Sequence, residues 1–256
     1  MSTVSAAVRT ATRSRFFLGF TFAMVLIVLS GFMPTLFGRA AFNVPKMPGY
    51  LYLHGATMSL WFALLATQTL LADNNNYALH KKLGWLSLAF LVLVPVAGMG
   101  TQLSMPARLR ELGVLDDYRI LIQNIFWLNL FSVLQFVCLA GAAVIYRKRG
   151  ELHKRLMLFA SIGMVMPAAA RLSRWSIFGN TSADLAQPSS TGNDVKFALA
   201  TMFILVIAMV VNDLRSKRRV LPVTIIGAVA VVGMALLVPV FANSEWGKSV
   251  VWAVSR

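Results

Sequence analysis

Three kinds of residue are scarce in this chain, and each scarcity closes off a class of function. Charged residues fill only 13% of the 256 positions and hydrophobic ones 58%, which excludes an ordinary soluble domain. A single cysteine, Cys138, excludes an intramolecular disulfide. It lies in the apolar stretch "LQFVCLAG", where packing is its expected role. Histidines number three. No HExxH pair, nucleophile motif or nucleotide loop occurs. The glycines of "GMGTQL" (98–103) follow a helical stretch rather than a strand, so they do not form a phosphate-binding loop.

What the chain has in quantity is apolar sequence in blocks of about 20 residues, the length that crosses a hydrocarbon core of about 30 Å. Seven blocks stand out, at 16–37, 51–72, 83–105, 120–146, 155–172, 196–213 and 221–242. They predict an all-α integral membrane protein whose residues 1–256 form one transmembrane domain. The fifth block, "LMLFASIGMVMPAAARL", is the weakest because Pro167 and Arg171 interrupt it. The first follows Arg9, Arg13 and Arg15 as a signal peptide would. Its apolar run of about 22 residues exceeds the 7–15 of a signal core, so it reads as a retained helix.

The 24 Lys and Arg outnumber nine Asp and Glu, for a formal charge of +15. The densest basic stretches, at 9–15, 81–82, 147–155 and 215–219, fall on one side of the seven spans. The positive-inside rule then predicts a bacterial inner-membrane protein with its N-terminus inside and its C-terminus outside. Such juxtamembrane charge is matched to anionic lipid headgroups rather than to nucleic acid. On the other side, 106–119 has mixed charge suited to a short interfacial helix, and 173–195 is the most loop-like segment. The tail carries Trp246 and Trp252, which suit an interfacial anchor.

Two of the three histidines sit in near copies of one pentapeptide, "LHKKL" (79–83) and "LHKRL" (152–156). Each opens the returning helix of a hairpin, helices 2–3 and helices 4–5. The descending helices also match. His54, Met58, Trp61, Leu65 and Gln68 share one face of helix 2, and Asn124, Trp127, Phe131 and Gln135 form a comparable stripe on helix 4. Polar side chains at such depth face a bundle interior. Helices 2–5 are therefore expected to form a central four-helix bundle, with helices 1, 6 and 7 around it.

Gln68 lies 14 positions beyond His54, about 21 Å along a helix. That excludes one metal site using all three histidines, a three-histidine zinc site included. His80 and His153 remain as a pair on one side. Two neutral imidazoles can ligate a haem iron axially, with Lys81, Lys82, Lys154 and Arg155 available for the propionates. They could also hold a metal together with Asp213. The plain alternative is an interfacial belt of His, Lys and Arg that meets lipid phosphates and caps helix starts. At the other side His54 has Gln102, Gln123, Asn124 and Arg171 as neighbours in depth. His54, Trp61, Gln68, Asn124, Gln135 and Arg171 are candidates to line a small-molecule cavity, with a hydrogen-bonded packing histidine as the alternative. Arg171 either snorkels or forms an anion-binding mouth beside His54, while Asp213 suits a surface ion pair beside "RSKRR".

The pattern "HGATMSLWFALLATQTLL…LHKKLGW" followed by "HKRLMLFASIGMVMPAAARL" resembles a family of bacterial multi-pass membrane proteins of unknown function. The resemblance covers 51–171 and is carried by His54, Trp61, Gln68, His80, Gly84, His153, Arg155, Met157 and Arg171. More distantly, the His-Lys/Arg helix start is similar to the ascorbate-reducible b-type cytochromes. That likeness implies a four-helix haem core, and the histidine count here reduces it from two haems to one. The sequence thus suggests a membrane redox protein with one haem b on His80 and His153, and a quinone or small apolar molecule near His54. A cofactor-free permease or ligand-binding accessory protein, and a structural subunit of a larger membrane complex or homo-oligomer, are the other classes it allows.

Overall fold

The structure is a computed structural model and describes residues 15–42, 46–111, 113, 115, 116, 118–176 and 192–254. Its helices, in chain order, are α1 (Phe16–Phe32), α2 (Gly49–Asp73), α3 (Tyr77–Glu111) and α4 (Arg119–Ile145), then α5 (Gly150–Ser176), α6 (Gly192–Lys217), α7 (Pro222–Asn243) and α8 (Glu245–Val254). A π-helical turn, Met33–Phe37, extends α1. Among the described residues there is no strand. Helix α1 together with its π-helical turn, and each of α2–α7, is long and apolar enough to cross a membrane, as the seven blocks predict.

The differences lie at the ends. α3 and α5 begin before the two pentapeptides, so both histidines stand inside the first turns of their helices. At the other end α3 runs on through Pro106 to Glu111, where a separate interfacial helix had been expected. The loop-like 173–195 is shorter than its composition suggests: α5 reaches Ser176, α6 starts at Gly192, and 177–191 lie outside the described residues, as do Arg9 and Arg13. The tail forms α8, whose Trp246 stacks on Trp127 of α4 with ring centroids 5.6 Å apart.

Helices 2–5 are compatible with a central bundle, and α5 is its axis. It packs against α1, α4, α6 and α7, while α2 leans on α1, and α3 on α4. Trp61 of α2 also donates to Ser161 Oγ of α5 at 3.1 Å. In lipid the hydrophobic effect does not drive helices together, so close approach and polar bonds must do so. α5 has the composition for it. Ala160, Ser161, Gly163, Ala168 and Ala169 are all buried, so neighbouring backbones can come near. A Cβ on Gly31 of α1 would overlap the Ala168 carbonyl, and one on Gly227 of α7 would overlap the Phe159 ring. Cys138 is exposed on the outer surface of α4, so it does not pack as expected. α4 is apolar all round, and an apolar run does not say which face meets lipid.

Candidate functional site

The two pentapeptides fold alike. Between α2 and α3, Asn75 takes a left-handed conformation (φ 58°), which asparagine tolerates, and Asn76 Oδ1 accepts the Leu79 N–H at 3.2 Å as a helix cap. His80 N–H then donates to the Asn76 carbonyl at 3.0 Å. In the second copy His153 N–H donates to the Arg149 carbonyl at 2.9 Å, four residues back as before. Each ring turns toward the helix it came from. His80 Nδ1 meets the Gln68 carbonyl oxygen of α2 at 3.2 Å, and His153 Nδ1 meets that of Ala143 in α4 at 2.8 Å. Ala143 lies in the last turn of its helix, where carbonyls lack an N–H one turn ahead. His153 fills that gap.

A carbonyl only accepts, so each Nδ1 carries a proton, and in a neutral ring that leaves the lone pair on Nε2. The backbone contact fixes both tautomer and ring orientation, as it does for metal-ligating histidines. The two rings meet across the hairpins with centroids 6.2 Å apart and planes at 88°. The pairing of His80 with His153 is therefore present.

The basic residues around them divide into two groups. Lys81 and Lys82 are exposed on α3. Lys154 pairs with Glu151 at 2.8 Å and lies 4.3 Å from the Phe17 ring centroid. Arg155 is fully buried. It bonds Asp213 Oδ1 through Nη2 at 2.5 Å and through Nε at 3.1 Å, and its Nη1 meets Glu151. Arg155 is thus committed to helix contacts and is not open to a cofactor carboxylate. Asp213 is equally buried, which overturns the expected surface ion pair. Its Oδ2 accepts from Leu221 N–H at 3.0 Å and Thr224 Oγ1 at 2.6 Å, so four donors surround the carboxylate and it offers nothing to a metal beside the histidines. This cluster ties α5, α6 and α7 together at the histidine end. Sequence reasoning missed it because its partners are 58 positions apart; the available signal was an aspartate in an apolar helix with buried need of a cation.

The proposed cavity residues do not converge on one void. His54, at the opposite end of α2, has Nδ1 3.2 Å from the Ala97 carbonyl of α3. Trp61 is buried in the core, edge-on to Phe136 at 4.8 Å. Gln68 bonds Ser87 Oγ at 3.5 Å and keeps a buried Oε1 without a hydrogen bond. Asn124 donates to the Ile120 carbonyl of its own helix at 2.8 Å. Gln135 is buried and donates to the Phe159 carbonyl at 2.9 Å. It borders a cleft among α4, α5, α6 and α7 with room for about one water molecule. Arg171 donates to the Pro167 carbonyl at 3.1 Å and lies over the Phe32 ring, 4.9 Å from its centroid. Of His54's expected neighbours in depth, Gln102 instead accepts from Asn129.

Among the described residues no group of three or more His, Cys, Asp or Glu is placed to hold a metal ion. Comparison of the chain with protein-family models, with curated proteins and with solved structures found no match.

Proposed function

We propose that the protein is a membrane redox protein that holds one b-type haem between His80 and His153. The observation that carries this reading is the approach of the two rings with both Nδ1 atoms anchored on backbone carbonyls. Two imidazoles that share one metal ion, at nitrogen–metal distances of about 2 Å, have ring centroids within roughly 6 Å of each other. The observed 6.2 Å suits that arrangement. The donor set suits it as well. Two protein ligands do not complete a tetrahedral site, but they complete a haem, which brings four equatorial nitrogens of its own.

In this role His80 and His153 would hold the haem, and Lys82 would be the cation open to its carboxylates. Arg155, being buried with Asp213, would instead hold α5 in place beneath the pair. The haem, when bound, supplies one-electron transfer. With the N-terminus inside a bacterial inner membrane, the pair lies at the cytoplasmic end.

Reduced-minus-oxidised absorption of the protein purified after haem-replete expression tests the reading. A Soret and an α band are expected, both lost in His80→Ala and in His153→Ala. No band in the wild-type protein would leave a cofactor-free permease, accessory protein or structural subunit. Bands that survive both substitutions would put the haem elsewhere.

A further inference from the structure

Two prolines interrupt the backbone hydrogen bonding of α5 and α7. Pro167 lies within α5 and Pro239 within α7, and neither has an N–H to give the carbonyl four residues back. Those carbonyls belong to Gly163 and Ala235. In lipid a carbonyl freed in this way takes a partner from a neighbouring helix, a side chain or an ordered water.

Gly163 and Ala235 both line the cleft among α4, α5, α6 and α7 that Gln135 borders. Gly163 has no side chain, so it meets the cleft with its backbone. A Cβ there would lie 3.1 Å from Gln135 Nε2 and 3.3 Å from Gln135 Oε1, so the glycine also makes room for that amide. Gln135 Nε2 donates to the Phe159 carbonyl at 2.9 Å, which leaves Oε1 as an acceptor.

Ser132, about one turn before Gln135 on the same face of α4, lines the cleft too. Ser59, Ser87, Ser104 and Ser161 each donate to the carbonyl four residues back in their own helices. Ser132 makes no such bond among the described residues, so its hydroxyl is available to the cleft.

Four residues whose oxygens lack their usual partners thus border one space. The Gly163 and Ala235 carbonyls and the Gln135 amide oxygen only accept, whereas the Ser132 hydroxyl can also donate. No carboxylate borders the cleft, which counts against a cation, and its size admits nothing larger than water. Cavities that stay dry are lined by apolar groups, and this one is not.

We infer that the cleft binds one water molecule. Its two hydrogens go to two of the three acceptors, and its oxygen accepts from Ser132. That makes about three hydrogen bonds, as is usual for an internal water. The water replaces a donor that proline cannot supply and joins α4 to the interrupted helices. This site is independent of the haem reading, since it shares no residue with the His80–His153 pair.

Radiolytic footprinting of the full-length protein in nanodiscs tests the inference. A brief X-ray pulse makes hydroxyl radicals from a bound water in place, and they oxidise the nearest methionines. Met166 and Met202 line the cleft yet are only 6% and 1% exposed, while Met24 and Met209, at 0%, do not border it. Met166 and Met202 should be oxidised about tenfold faster than Met24 and Met209. Ser132→Ala combined with Gln135→Leu removes both side-chain contacts and should bring the two rates down to those of the controls. The inference is overturned if Met166 and Met202 react no faster than the controls in the wild-type protein. It is also overturned if the folded double variant keeps the wild-type rates. Radicals made only in bulk solution should not reproduce the pattern; if they do, the methionines are reached from outside and the inference fails. The wild-type comparison decides even if the double variant does not fold.

Discussion

The two hairpins start from almost the same pentapeptide and reach opposite environments. In the first, α3 is a rim helix: 11% of its most apolar stretch is buried, and Trp85 is 73% exposed. In the second, α5 is the axis of the molecule, with 67% of the corresponding stretch buried. The histidines behave alike in both, each reaching back to the preceding helix. The residue two positions on does not. Lys82 stays on the surface, whereas Arg155 is buried in a carboxylate cluster. A planar guanidinium can present two parallel N–H groups to one carboxylate, which an ammonium cannot. The third residue of "HKK" thus lies on the rim and that of "HKR" in the core.

Breaking that asymmetry at its strongest point should give the largest effect. Arg155→Ala leaves Asp213 buried without its cation, and a loss of about 3–5 kcal/mol is expected in detergent unfolding. A double-mutant cycle with Asp213→Asn should recover part of it, because the second change removes the stranded charge. Next comes packing. Gly31→Ala and Gly227→Ala should each cost about 1–3 kcal/mol, since the added carbon meets α5 with no space to spare. Gly84→Ala on α3 meets open space, so it should be neutral or stabilise by about 0.5–1 kcal/mol through helix propensity. The histidines should differ more mildly. His153→Ala, which leaves the Ala143 carbonyl without a donor, should lose about 1 kcal/mol, and His80→Ala less, because Gln68 lies deeper in its helix. Smallest of all is Lys82→Ala, within about 0.5 kcal/mol of wild type. Equal losses for Lys82→Ala and Arg155→Ala would erase the distinction between rim and axis.

The seven spans were legible because hydropathy reports exposure to lipid. For the same reason the fifth span looked weakest in the sequence. A helix surrounded by protein can afford Ala, Gly, Ser and Arg on every side, so "LMLFASIGMVMPAAARL" lost apolar signal by being central. The inward stripe of α2 was legible too: Trp61 and Leu65 are buried, while Leu53 and Leu60 face outward. The approach of His80 to His153 followed from their common side. What periodicity could not carry was pairing across distance. Nothing local in "HKRL" indicates that Arg155 meets Asp213, or in "NDLRSK" that this aspartate turns inward to Thr224. Nor does a shared depth imply a shared cavity. Gln68, Asn124 and Gln135 each found a backbone or side-chain partner nearby, as intramembrane polar groups do when one is within reach.

The central place of α5 also bears on how the chain is assembled during synthesis. α1 packs on α5, and about 120 residues of chain separate them. At ribosomal rates of about 5–20 residues per second, α1 must wait on the order of ten seconds for its main neighbour to emerge. Until then Gly31 faces lipid or the insertion machinery rather than Ala168. The first four helices are therefore an open half-ring awaiting its hub, and the interval before α5 arrives is when the nascent chain is most accessible to chaperones and membrane proteases.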